Sequence, residues 1–386
     1  MAAMRGFVGF LVTAALAAAI AATAAGRTES TLEYVAHACF VVVSPTGARV
    51  VIDPYNTHRW LGYHFPEQLE ADGVLVSHPH YDHDASYYWT QDVPVFRKPG
   101  RYAVDDIQIT GIAGRHADPY GKEFGQRNTV WLVESGGVRF VHVGDNGPLA
   151  PEAVEALGRV DVLMLPVDDL GHILKRREIT AMREALHPRV VVPMHYRLTG
   201  LSELPESVGP IDQWLAEQQN VEKLSGSRLA VSARRLPAVS QVVVFQPSAQ
   251  VKPWSGWLHD AWKLRHSARD LRAADARSEE AIASLRQAGS LVPETIVFRV
   301  ELAEALDAAG RGDEANRILE RALAGAGRDD WEYTMRGRNL LARLYRAAGD
   351  DSAAALQYRL ILKDAYRSEY LEAAREFLRA LRGSKP

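Results

Sequence analysis

Between Thr31 and about Pro247 the apolar residues fall into short, β-branched runs separated by Gly, Pro and Asp. The clearest are 40–43, 50–52, 73–76, 107–111, 129–133, 138–143, 162–165, 190–192 and 241–245. Short runs bounded by turn formers predict buried strands. Apolar residues at helical spacing predict intervening helices over 150–157, 178–186 and 211–219. Strands in the majority with helices between them predict an α/β fold in which two sheets pack together and helices cover their outer faces. From Trp254 onward the texture changes: β-branched runs vanish and Ala, Leu, Arg and Glu recur at helical spacing. This places a domain boundary near 250, with 26–250 as one domain and 251–386 as an all-α second domain.

Within the tail, 302–315 and 341–354 echo each other at an offset of 39 residues. Each has a helix, an Ala-Ala-Gly stop, a short acidic turn and a second helix that opens with small residues. The pattern resembles the tetratricopeptide repeat, whose usual period is about 34 residues. A plain helical bundle with an accidental echo is the alternative. Stacked helix pairs would offer a surface over 254–386 for a protein partner or for self-association.

The first residues read differently. A weakly basic start is followed by an uncharged apolar run over 6–22 that ends in small residues. That is the layout of a secretory signal, with cleavage expected near 25 and export to a periplasm-like space. An uncleaved anchor in the inner membrane is the alternative, because the run sits at the lower end of the spanning range.

Charge and cysteine content narrow the chemistry. The formal net charge of -3 argues against a protein built to neutralise a nucleic-acid backbone. The balance is uneven: 27–250 carries six more acids than bases, whereas 251–386 carries two more bases than acids. No nucleic-acid partner is expected, and a small-molecule substrate fits better than a polymer. The single cysteine, Cys39, excludes an intramolecular disulfide and any Cys-based zinc cluster, which leaves histidine and carboxylate as metal ligands.

The histidines cluster. Ser77, His78, Pro79, His80, Tyr81, Asp82 and His83 follow directly on the apolar run 73–76, so four ligand-capable side chains share one loop at a strand end. His116, Asp145 and His195 also follow apolar runs, so a sheet could gather all seven along one edge.

This set, H-x-H-x-D-H at 78–83 with His116, Gly144-Asp145 and Pro193-Met194-His195, resembles the metallo-β-lactamase superfamily of αββα hydrolases over roughly 31–247. The flanking pieces 35–40, 52–54, 127–129 and 142–145 further resemble its ascorbate-6-phosphate lactonase-like branch. The resemblance implies two divalent ions, one held by His78, His80 and His116 and the other by Asp82, His83 and His195, with Asp145 bridging. An all-N/O donor set suits zinc first and also admits manganese or iron. Water bridging such a pair is acidified to hydroxide near neutral pH, so hydrolysis of a small ester, lactone or phosphoester is the implied reaction. Asp82 is the candidate catalytic residue that orients the nucleophile. His37, Arg127, Asn128 and Tyr196 are candidate substrate contacts, each with a plain structural explanation beside it. The loop 166–172 departs from the family, with Asp168, Asp169 and His172 where glycines are usual; the two acids and the histidine near the cleft would alter substrate choice, with His172 either approaching the metals or standing as a surface loop histidine. Two other functions stay open: a phosphodiesterase acting on lipid or nucleotide, and an envelope scaffold whose helical repeats bind a partner.

Overall fold

Alternating and continuous apolar runs resolve into two sheets in the computed structural model. It describes residues 29–57, 61–89, 92–123, 125–202, 208–293, 295–324, 331–364 and 368–383. The expected leader over 1–25 lies outside them. The first sheet contains β1 (Ser30–Ala36), β2 (Cys39–Val43), β3 (Arg49–Ile52), β4 (Gly73–Leu75) and β5 (Val95–Phe96). The second begins with β6 (Gly100–Val104), β7 (Ile107–Arg115), β8 (Arg127–Ser135), β9 (Val138–His142), β10 (Val162–Pro166) and β11 (Val190–Met194). β12 (Val221–Lys223) and β14 (Gln241–Val244) complete it, while β13 (Arg228–Val231) returns to the first sheet. The strand orders are β13-β1-β2-β3-β4-β5 and β12-β14-β11-β10-β9-β8-β7-β6.

Burial follows pairing. β10 and β11 run parallel and every residue in them is buried, because both faces of a parallel sheet are covered. β6 and β7 are antiparallel and alternate buried with exposed, so the polar-interleaved 100–104 forms a strand that its apolar content does not announce. The first domain's helices are α1 (Tyr120–Glu123), α2 (Pro151–Leu157), α3 (Arg176–Leu186) and α4 (Asp212–Ala216). The last is shorter than the spacing over 211–219 predicts. The piece 35–40 spans a turn: His37 takes a left-handed φ of 57° between β1 and β2. One apolar core joins the two sheets, centred on side chains such as Leu32, Phe40, Trp131, Phe140 and Met164.

The tail consists of α5 (Trp257–Ala274), α6 (Glu279–Leu291), α7 (Ile296–Ala308), α8 (Gly312–Ala324), α9 (Trp331–Ala347), α10 (Asp351–Asp364) and α11 (Ser368–Gly383). The two Ala-Ala-Gly stops are the same device. Gly310 and Gly349 adopt φ of 77° and 79°, and Arg311 N to Leu306 O and Asp350 N to Tyr345 O close the exposed helix ends. Small residues at Ala303, Ala315 and Ala322 are buried where helices meet. The domains are tied by backbone hydrogen bonds from His64 N to Lys252 O and from Trp254 N to Gly62 O. No helix among the described residues is long and apolar enough to cross a membrane.

Candidate metal centre

Asp53 follows β3 with φ of 48° and points at the loop that leaves β4. Its carboxylate accepts from Ser77 N at 2.7 Å, Ser77 Oγ at 2.6 Å and His83 Nδ1 at 2.7 Å. Because the Ser77 hydroxyl spends its proton on Asp53, its contact of 2.9 Å with His78 Nδ1 makes that nitrogen the donor. His78 and His83 therefore both present an unprotonated Nε2 inward when neutral. His116 does the same, with its Nδ1 donating to Ala117 O at 3.0 Å. The Gln126 carboxamide lies 3.0 Å from His80 Nε2 and holds that ring at the rim of the group.

Asp145 is reached through Gly144, whose φ of 56° is accessible to glycine; a Cβ there would lie 2.5 Å from Ser77 Cβ. The Asp145 carboxylate meets both halves of the site. Oδ2 lies 3.8 Å from His78 Nε2, 3.5 Å from His116 Nε2 and 3.4 Å from His195 Nε2, and Oδ1 lies 3.3 Å from His83 Nε2. Asp82 Oδ2 lies 3.5 Å from both His83 Nε2 and His195 Nε2. His37 joins this second half, with Nε2 3.1 Å from Asp82 Oδ2 and its ring 4.0 Å from that of His195. Two groups result: His78, His80, His116 and Asp145 in one, and His37, Asp82, His83 and His195 in the other. Within each group the ligand atoms lie within 4.8 Å of one another.

Nε2 of His78, His83, His116 and His195 and Oδ1 of Asp145 are buried without hydrogen-bond partners. Unsatisfied buried polar atoms are costly, and their convergence on common points fits bound cations. The electrostatics agree. Burial pushes His37 and His80 down to about 3, so both are neutral lone-pair donors. Burial opposes charge on His195 and His83 too, yet the facing carboxylates, Asp145 foremost, outweigh it; His195 rises to about 9 and His83 goes well above its ordinary value. Burial likewise opposes ionisation of Asp145 and Asp82, and the surrounding imidazoles reverse that and hold both carboxylates ionised. The cluster thus gathers positive charge around two carboxylates, and divalent ions would replace those protons.

Residues 31–195 match the family model described as a β-lactamase superfamily domain. Over these residues the chain is similar to that superfamily. Two relatives described as UPF0173 metal-dependent hydrolases resemble it. The protein from Thermococcus onnurineus is 28% identical over 191 residues, covering 43% of this chain and 84% of that one. The protein from Thermoplasma acidophilum is 27% identical over 186 residues, covering 42% and 80%. A solved structure from Thermotoga maritima, assigned as a zinc-dependent hydrolase of the same superfamily, is 27% identical, with a TM-score of 0.45 over 57% of this chain and all of that one.

A cleft of about 290 Å³ opens the ligand groups to solvent. Its walls include Tyr81, Asp118, Tyr120, His172 and Ile173, and Tyr120 packs edge-on to both His80 and His116 at 5.2 Å. His172 is exposed as expected of a surface histidine, but its ring stacks 5.7 Å from that of His195, so it belongs to the cleft mouth. The two acids of that loop do not reach the cleft. Asp168 accepts from His172 N and Gly209 N, and Asp169 accepts from Gln213 N and Trp214 N while pairing with Arg176. Three candidate substrate contacts are placed elsewhere. Arg127 is exposed at the outer end of β8, opposite Arg115. Asn128 donates to Val143 O and Asn146 Oδ1, bracing the turn before Asp145. Tyr196 is buried in the core beside Tyr34. Gln126 carries no signal of its own in sequence, and Asp53 and Ser77, though they stand in the pieces 52–54 and 77–83, carry none for their role, because only the fold sets them against the histidines.

Proposed function

We propose that this chain is a metal-dependent hydrolase that holds two divalent ions, zinc first, and acts on a small ester, lactone or phosphoester. The observation that carries this reading is the convergence of the buried Nε2 atoms of His78, His83, His116 and His195, which make no hydrogen bond, on the Asp145 carboxylate at the floor of an open cleft. The relatives' descriptions as metal-dependent hydrolases support the same reaction class. His78, His80 and His116 would hold one ion, Asp82, His83 and His195 the other, and Asp145 both. Bound there, the ions would supply Lewis acidity and lower the pKa of a coordinated water. The chain's own residues do the rest: Asp82, lining the cleft, orients the attacking water and receives its proton, and His37, 3.1 Å away, holds that carboxylate in place. Tyr120 and Ile173 shape a space suited to a small molecule. The cleft walls carry neither Lys nor Arg among the described residues, which speaks against a nucleic-acid polyanion.

The test is metal analysis of the purified protein, followed by turnover of a matched panel of lactone, carboxylic ester and phosphodiester substrates. About two equivalents of metal and turnover abolished by His80→Ala are expected. Stoichiometric metal absent, with activity unchanged by that substitution, overturns the reading. Turnover confined to phosphodiesters moves the substrate class to a lipid or nucleotide diester. Export to the periplasm belongs to the same proposal, and the N-terminal residue of the mature protein from an expressing cell checks it.

A further inference from the structure

Tyr81 stands between the ligands His80 and Asp82 and faces two ways. It lines the cleft, and it also packs against the apolar core of the helical domain, the cluster built around Trp254, Leu258, Trp262 and Phe298. Its carbonyl accepts from Asn56 N at 2.8 Å, so its backbone is fixed from below while its ring is fixed from above. The helical side of this contact is rigid. Arg265 on α5 lies over the Trp262 ring at 4.8 Å and forms a two-pronged ion pair with buried Glu301 of α7, at 2.9 and 2.7 Å. Tyr333 of α9 donates to the same carboxylate at 3.1 Å. Arg265 thereby braces the Trp262 cluster on which Tyr81 packs.

We propose that the helical domain is a working part of the metal centre, and that Tyr81 is a positioning residue through which α5 holds the loop 77–83 in its ligand-presenting geometry. The proposal rests on the metal-hydrolase reading. Four candidate ligands lie on that loop, and within the first domain Asp53 and Asn56 brace it from beneath. A loop held on only one side samples more conformations, and residues that orient metal ligands from behind typically set metal affinity within a factor of 10–100. The tail's role is then to complete the site, which explains why a residue in the middle of a ligand motif packs against the helical core.

The experiment uses the full chain loaded with zinc alone. Zinc affinity by competition with a chromophoric chelator, and hydrogen exchange across 77–88, are measured for wild type, Tyr81→Phe, Tyr81→Ala and Arg265→Leu, well below each variant's melting temperature. Tyr81→Ala is expected to weaken zinc about tenfold or more and to speed exchange in the loop, with Tyr81→Phe returning both to within about twofold of wild type. Arg265→Leu, which touches no ligand, is expected to weaken zinc in the same direction. Wild-type affinity and exchange in both Tyr81→Ala and Arg265→Leu overturn the coupling while leaving the hydrolase reading intact. A wild-type chain that binds no zinc or other divalent ion overturns the hydrolase reading itself. Should Arg265→Leu fail to fold, the contrast between Tyr81→Ala and Tyr81→Phe decides alone.

Discussion

Three hydrogen bonds converge on Asp53, and through them one carboxylate sets the rings of His78 and His83. Asp53→Ala should leave the fold intact by circular dichroism yet weaken metal binding about 10–100-fold in a competition titration, because both rings lose their tautomer and orientation. Gly144→Ala should be worse than its size implies. It adds the left-handed penalty of about 1–2 kcal/mol to a contact of 2.5 Å with Ser77, so the Asp145 turn must shift and metal affinity should fall more than melting temperature. The ligands themselves are legible in sequence because three histidines and an aspartate within six residues at a strand end have few other uses. Gln126 is not, and Asp53 is visible only as part of the piece 52–54 with no role attached, since the meaning of a polar residue lies in what stands opposite it. His37 was legible as a residue near the site, but its place beside Asp82 and His195 depends on the turn between β1 and β2.

Among the elements, the parallel strands were the easiest to read, since β10 and β11 are apolar throughout and need to be. β6 and β12 were not, because edge strands with one wet face carry little apolar signal. The helix pairs were legible from Gly310 and Gly349, the one residue type that takes a positive φ without strain at a helix end. Within them α7 buries Glu301, whose ionisation burial opposes and the Arg265 charge more than restores, so its carboxyl sits below the ordinary value. A carboxylate depressed by folding contributes stability above its unfolded pKa of about 4.3 and loses it as pH falls through the folded value. Glu301→Gln should therefore destabilise the helical domain at pH 7. The gap between variant and wild type in chemical denaturation should close as pH falls below about 4.

For the whole molecule, ions that bind only the folded chain should raise its stability by mass action, by about 2.7 kcal/mol at a free concentration 100 times the dissociation constant. Chelation should lower the melting temperature of wild type, and do so much less in Asp145→Ala, where the carboxylate common to both groups is gone; scanning calorimetry with and without chelator checks this. The sequence alone determined the class of fold, the change from sheet to helix near 250 and the seven ligand candidates. Each of these is written in side-chain type and short-range period, which need no partner to be read. Only the tertiary structure decided which second residues hold the ligands, that Arg127, Asn128 and Tyr196 are not among the residues lining the cleft, and that Tyr81 packs on the helical domain. Those facts depend on pairs tens to hundreds of residues apart in the chain, and a carboxylate, amide or phenol takes its role from the group that folding sets against it.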